Sequence, residues 1–234
     1  KSSFDDWRQA FSKSIEKRTN GLREKMFIGL SSGYDSGGIA CELNKINFPY
    51  KAYTVLGSEN KDVLDRRYAL FNENSSGEYI PDNRWDYKGY INTNVEEFMY
   101  RIYSSSSNYN EFGTRLQDDN GSCGLSMVCD HARREGKKVY MSGSGSDEIF
   151  SDYGFGGKKH FGHSNFGGLF PDDLSTIFPW ASFYGSSMVS YLAKEEYVAG
   201  SYGIEARYPY LDKYVVQEFL WLESRLKNSK YKSV

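Results

Sequence analysis

Apolar residues open the chain at three- and four-residue spacing, Phe4, Trp7, Phe11 and Ile15, with charges between them. This period predicts an amphipathic helix lying on a core. The run MFIGL (26–30) reads as a buried strand, and YKAYTVL (50–56), rich in aromatic and β-branched residues, as a second. GEYIP (77–81) predicts a short third strand and KKVYMSG (137–143) a fourth. Between them, helical patterns cover Ile39–Ile46, Asn60–Asn74, Val95–Tyr103 and 125–136. In the second, Asn60 is a cap and Val63, Leu64, Tyr68 and Phe71 share a face. Residues 104–122 are polar and without period, which predicts a long loop of the kind that often carries function. From Leu174 onward the chain reads as helical, in SMVSYLAKEEY (187–197) and YVVQEFLWLESRL (214–226).

Strands alternating with helices predict βαβ units and an α/β fold, a parallel twisted sheet with helices on both faces followed by a helical C-terminal part. The 234 residues suffice for one large domain. Its expected parts are a leading helix (1–20), a nucleotide-binding sheet (25–150) and a mainly helical part (174–234). At 39% apolar and 26% charged, with a net charge of −2 and no basic run, the composition is that of an ordinary globular protein without a nucleic-acid backbone site. No apolar run is long enough to span a membrane and no signal peptide is visible, so no membrane partner is expected. Three cysteines, Cys41, Cys123 and Cys129, form no CxxC pair and predict buried thiols in a reduced, cytoplasmic setting. The start at Lys1 and the abrupt end KNSKYKSV suit a piece of a longer protein.

The chemistry concentrates in FIGLSSGYDSGGIAC (27–41). Small hydroxyl residues, glycines and one acid stand where a strand meets a helix, and in open parallel sheets ligands bind at such turns. Free N–H groups at a helix start attract phosphate; Ser31, Ser32 and Ser36 add donors, and Gly33 allows close approach. Asp35 alone would repel phosphate, so its presence implies a bridging cation, Mg²⁺. The Gly-Lys-Ser/Thr ending of a Walker loop is missing. Taken singly, a small-residue turn with a helix cap explains the stretch as well. KKVYMSGSGSDEIF (137–150) repeats its shape, with Asp147 in the equivalent place. Two such turns on neighbouring strands would form one crevice, with both carboxylates on one Mg²⁺.

LSSGYDS resembles the SGGxDS pyrophosphate loop of N-type ATP pyrophosphatases. MSGSGSDEIFSDY is similar to the SGEGSDE segment of asparagine synthetases, and YGIEARYPYLD (202–212) to that family's motif ending in PFLD. The three motifs stand in family order, the amphipathic helix before them matches too, and the resemblance covers about Phe4 to Leu220. The resemblance implies an adenine-nucleotide α-hydrolase, Rossmann-like fold. It also implies an ATP-dependent carbon–nitrogen ligase that activates a carboxylate as an acyl-adenylate, releases pyrophosphate and passes the acyl group to ammonia or an amine. On it, Ser31, Ser32, Gly33, Asp35 and Ser36 bind pyrophosphate, and Asp35 and Asp147 hold Mg²⁺. Leu30, Val55, Ser142 and Gly143 line the nucleoside pocket, and Ser144, Glu205 and Arg207 take the catalytic positions.

The departures count too. Asparagine synthetases carry Glu where Ser144 stands, serving amide formation, and lactam-forming relatives carry Tyr; a serine is no comparable base. Glu196 stands where relatives have Asp. The resemblance also implies a glutaminase nucleophile, expected on a separate domain or subunit. A lysine several dozen residues beyond YPYLD is implied as well; Lys227, Lys230 and Lys232 lie closer than that, so it is expected on a further segment. His160 and His163 read as a solvated Gly-rich loop, Lys158 and Lys159 as a surface pair, and Asp118 and Asp119 as loop acids or amine contacts. A second reading remains: a nucleotide-binding module without amide synthesis that acts through a partner.

Overall fold

The computed structural model describes residues 1–22, 24–96, 115–159 and 166–229. Helix α1 (Asp5–Thr19) lays Phe11, Ser14 and Ile15 inward, with the Trp7 and Phe11 rings stacked at 5.4 Å. Strand β1 (Met26–Gly29) leads to α2 (Tyr34–Lys45), β2 (Lys51–Val55), α3 (Lys61–Ala69) and β3 (Ser76–Ile80). Asn60 caps α3 as its side chain predicts, accepting from the Val63 N–H at 3.2 Å. A 3₁₀ turn (Arg84–Tyr87) and α4 (Lys88–Asn94) follow.

A helix starting at Val95 is not found: Val95 ends α4 in an extended conformation, φ −104°, ψ 128°. Residues 97–103 of that expected helix lie outside the described residues. So do 104–114 of the expected loop, His160, His163, Lys230 and Lys232. In the described part of the loop a 3₁₀ turn spans Leu116–Asp118, and α5 starts early, covering Asn120–Arg134. Asp119 sets that start, its carboxylate accepting from the Ser122 N–H at 2.8 Å, as N-cap acids do. Strand β4 (Val139–Met141), α6 (Ser146–Phe150), the hairpin β5 (Gly154–Phe155) with β6 (Lys158–Lys159), α7 (Ala181–Tyr184) and α8 (Ser187–Ser201) come next. The chain then returns to the sheet as β7 (Glu205–Arg207), and finishes with α9 (Lys213–Leu220) and α10 (Ser224–Lys227).

The sheet runs β3-β2-β1-β4-β7, with all four pairings parallel. The protein is therefore the α/β fold the pattern predicts, with one strand more than it marks. Strand β7 was hidden because its three residues, Glu-Ala-Arg, hold no β-branched or aromatic side chain. Strand residues alternate between faces. Met26, Ile28 and Met141 pack with α1, α2 and Leu64 of α3; Phe27, Tyr53 and Tyr140 pack with α5 and α8. A third cluster, with Trp180, Phe183, Phe170 and Phe219, joins α6, α7 and α9. Of the cysteines, Cys123 and Cys129 are buried, but Cys41 is exposed on α2. Among the described residues no helix is long and apolar enough to cross a membrane.

The segment after β7 ties the sheet to α1. Asp212 is buried, caps α9 through the Tyr214 N–H at 3.1 Å, and meets Arg18 at 3.0 Å and Lys17 at 3.3 Å. Burial raises its carboxyl, but the bonds from Arg18, the Tyr214 amide and Lys17 outweigh this and hold it below the usual aspartate range. A depressed acid contributes stability at neutral pH that is lost as pH falls through its folded-state pKa. Asp212→Asn is therefore expected to destabilise the fold by about 2 kcal/mol at pH 7 in urea denaturation. The difference from the parent should shrink below pH 4.

Candidate active site

Strands β1 and β4 lie side by side at the centre of the sheet, with Phe27 beside Tyr140 and Ile28 beside Met141. From β1 the chain winds outward to β2 and β3, then crosses back to β4 and β7 on the other side. The strand order thus reverses between β1 and β4, where open α/β sheets form a ligand crevice. Both Ser/Gly turns leave the sheet at this point. They touch: a Cβ on Gly143 would stand 2.8 Å from Cβ of Asp35, so the contact exists only because Gly143 has no side chain.

The first turn is tightly bonded. The Ser31 N–H donates to Ser36 Oγ at 3.0 Å, and the Gly33 N–H to Ser31 Oγ at 3.1 Å. Helix α2 starts at Tyr34 rather than near Ile39, which puts Asp35 in its first turn, where a carboxylate is favoured. Arg67 of α3 donates to the carbonyls of Ser31 and Gly33. Glu59, beyond the end of β2, takes both the Ser32 N–H and the Ser32 hydroxyl at 2.5 Å. A carboxylate therefore sits on a turn amide that a phosphate would otherwise use.

In the second turn Ser142 is buried and extends β4, donating its N–H to the Arg207 carbonyl at 2.9 Å. The Ser144 N–H donates to Ser142 Oγ at 3.0 Å. Gly145 takes the left-handed φ of 94°, and its N–H donates to Glu148 Oε2 at 3.1 Å. Asp35 is pushed up by burial, an effect the neighbouring Ser146 hydroxyl opposes. Asp147 opens to solvent at the rim, yet desolvation on its protein side, then the charges of Asp35 and Glu148, push its carboxyl up to about 7.

Among the described residues neither Asp35 nor Asp147 has a cationic partner, and no three ligating side chains converge on one point. Two unneutralised carboxylates fit a hard cation such as Mg²⁺, whose remaining ligands would be phosphate oxygens and water. Two cavities adjoin the turns. A cavity of about 330 Å³ is lined by Leu30, Ser31, Val55, Tyr140 and Glu195. A second, of about 260 Å³, is lined by Asp35, Asp147, Trp7, Tyr210 and Lys227. A larger one, of about 380 Å³, lies between α1 and α9 and includes no residue of either turn.

The positions expected from sequence separate accordingly. Leu30, Ser31 and Val55 share the first cavity; Ser32, Gly33 and Ser36 form the turn above it; Ser142 and Gly143 face them across the β1–β4 seam. Glu205 and Arg207 line neither cavity. They pair with each other at 2.8 Å on β7, and Arg207 Nη1 also donates to the Arg18 carbonyl at 2.6 Å. Asp118 pairs with Lys88 at 3.3 Å and Asp119 with Lys194 at 3.5 Å. Lys158 and Lys159 are exposed on the hairpin. Glu196 accepts from the Tyr208 hydroxyl at 2.9 Å. Lys227 reaches the cavity of the two aspartates, although burial holds its ammonium below the usual lysine range, and it donates to the Leu220 and Leu222 carbonyls.

Sequence reading passed over Glu59, Arg67, Glu195 and Tyr210. The Tyr210 hydroxyl donates to the Asp35 carbonyl at 2.9 Å, so the YPYLD motif positions the first acidic turn. Glu195 did leave a signal. Met188, Glu195, Val198 and Ala199 are buried on one face of α8, so a glutamate occupies a core position of the helical period.

No family model matches the chain, and no curated protein matches it. Among solved structures, that of NMN synthetase from Francisella tularensis superposes on 98% of this chain and 97% of its own, at 13% identity and a TM-score of 0.39. A likeness so distant assigns neither family nor substrate.

Two predictions concern the crevice. Glu59→Ala frees the Ser32 amide and should tighten binding of Mg²⁺-pyrophosphate by about tenfold, or ~1.4 kcal/mol, in calorimetric titration. The second uses the raised Asp147. An acid whose pKa is higher in the folded state binds more protons folded than unfolded, so stability falls as pH rises from about 4 to 7. Without Mg²⁺ the melting temperature should drop over that range, and millimolar Mg²⁺ should restore it at pH 7.5 but not at pH 5. Asp147→Asn should flatten both responses.

Proposed function

We propose that this protein is an ATP-dependent amide-forming ligase, similar to asparagine synthetases, that activates a carboxylate as an acyl-adenylate and transfers it to ammonia or an amine. One observation carries the reading: two Ser/Gly turns meet at the β1–β4 switch point and set two carboxylates, without cationic partners among the described residues, on the wall of one cavity, with a second cavity beside Ser31 of the first turn. In it the nucleoside enters the cavity of Leu30, Val55 and Ser31, and the triphosphate runs over the first turn toward Asp35 and Asp147. The helix start at Tyr34 and the Ser31, Ser32 and Ser36 hydroxyls hold the phosphate oxygens, once Glu59 has yielded Ser32. When bound, Mg²⁺ supplies neutralising charge on the pyrophosphate side.

Attack by the acid's carboxylate oxygen on the α-phosphorus breaks the α–β phosphoanhydride bond and gives the acyl-adenylate and pyrophosphate. In this step the protein mainly orients and neutralises. In this reading Lys227, on the wall with the two aspartates, would leave the Leu220 and Leu222 carbonyls to meet the departing pyrophosphate. Ammonia made by a separate glutaminase would serve as the amine.

The second reading, a nucleotide-binding module acting through a partner, is favoured by Ser144, which removes a carboxylate from the motif. One assay separates the two. The ligase reading expects carboxylate-dependent exchange of labelled pyrophosphate into ATP, with AMP and not ADP as nucleotide product, and loss of at least a hundredfold in Asp35→Asn. Tight ATP binding with no exchange across a panel of amino acids and dicarboxylic acids would favour the module.

A further inference from the structure

Helix α8 brings a second carboxylate to the second turn. Glu195 is 8% exposed, and its Oε1 accepts from the Ser144 hydroxyl at 2.8 Å. Its Oε2 is buried and has no hydrogen-bond partner among the described residues. An unsatisfied buried carboxylate oxygen costs free energy and calls for an explanation. The same side chain lines the 330 Å³ cavity with Leu30 and Val55, so rotation about its last bond would carry Oε2 to the cavity wall. Ser144, its partner, stands next to Gly143, which abuts Asp35, and three residues before Asp147. Glu195 thus stands on the wall of the nucleoside cavity, one hydrogen bond from the turn that leads to Asp147.

We propose that Glu195, held by Ser144, is the proton acceptor for the amine in the amide-forming step, an assignment that rests on the ligase reading above. The amine nitrogen forms a C–N bond to the acyl carbon. The C–O bond to AMP breaks with its electron pair staying on the phosphate oxygen, and one N–H proton passes to the Glu195 carboxylate, whose unpaired Oε2 has turned into the cavity. The carboxylate that Ser144 removes from the motif is thereby supplied from a different helix. Its surroundings suit a base working near neutral pH. Burial raises the Glu195 carboxyl, the Ser142 and Ser144 hydroxyls and Lys194 oppose that, and Glu148 adds to it. The buried Tyr140 and Cys129, and Tyr208 beyond β7, also face it and stay protonated, each pushed up by burial.

The test measures two steps on one protein: acid-dependent pyrophosphate exchange for adenylation, and hydroxamate formation from hydroxylamine for acyl transfer. The acids are the proteinogenic amino acids and common dicarboxylic acids. Glu195→Gln should lower hydroxamate formation at least a hundredfold more than exchange, and should remove the rising limb of its pH profile. Ser144→Ala, which deletes a donor to the charged carboxylate, should keep the limb and move it to higher pH. This second variant leaves the buried carboxylate in place, and melting curves of both confirm folding. Hydroxamate formation by Glu195→Gln at the parent rate, or an equal loss of both steps, overturns the assignment and leaves the ligase reading standing. No acid-dependent exchange by the parent overturns the ligase reading, and this assignment with it.

Discussion

The parallel pairing of β1 with β4 is the interaction on which the site depends. It joins two strands separated by more than a hundred residues, and at that seam the winding of the sheet reverses. Helices packed on either side must diverge there, which opens a crevice at the carboxyl ends of the strands. Gly143 completes the arrangement by letting the second turn rest against Asp35. Two acidic groups that would lower their energy by separating are held close by backbone packing.

Much of the remaining structure serves to hold that seam. The segment after β7 fastens α1 through Asp212, Arg18 and the Ser14 hydroxyl, which donates to the Pro209 carbonyl at 2.7 Å. Tyr210 then reaches from the same segment to the Asp35 carbonyl. On the far side, Trp180 Nε1 and Ser182 Oγ both donate to the Glu148 carbonyl, at 2.7 and 3.1 Å, and fix the short helix that carries Asp147. The aromatic cluster around Trp180 thus acts as a buttress for one acid, as the YPYLD segment does for the other. Glu205 and Arg207 pair on β7, and Arg207 ties that strand to the end of α1 through the Arg18 carbonyl.

The crevice is electrostatically incomplete by itself. Burial raises all three of Asp35, Asp147 and Glu148, and the charge of Asp35 adds to this at the other two; among the described residues Arg67 is engaged with backbone carbonyls, Lys194 with Asp119 and Lys227 with the Leu220 and Leu222 carbonyls. Glu59 meanwhile occupies the amide of Ser32. A polyphosphate carrying a divalent cation would resolve both conditions together, giving the carboxylates a counter-charge and the turn an anion.

Local pattern was enough to mark four of the five sheet strands, the cap at Asn60, and the two turns with their acids, because strand periodicity, capping and turn chemistry act over a few residues. The motifs also marked Leu30 and Val55, which share a cavity. What only the tertiary structure decided is long-range. The three-residue β7 exists because β4 offers it an edge, not because Glu-Ala-Arg favours a strand. Glu59 meets Ser32 across 27 residues and Glu195 meets Ser144 across 51, pairings that no spacing rule encodes. The helical period of α8 puts Glu195 on the buried face, but only the fold supplies what that face meets. Burial alone then decides that Glu195 faces the crevice while Glu196, one residue on, turns to Tyr208.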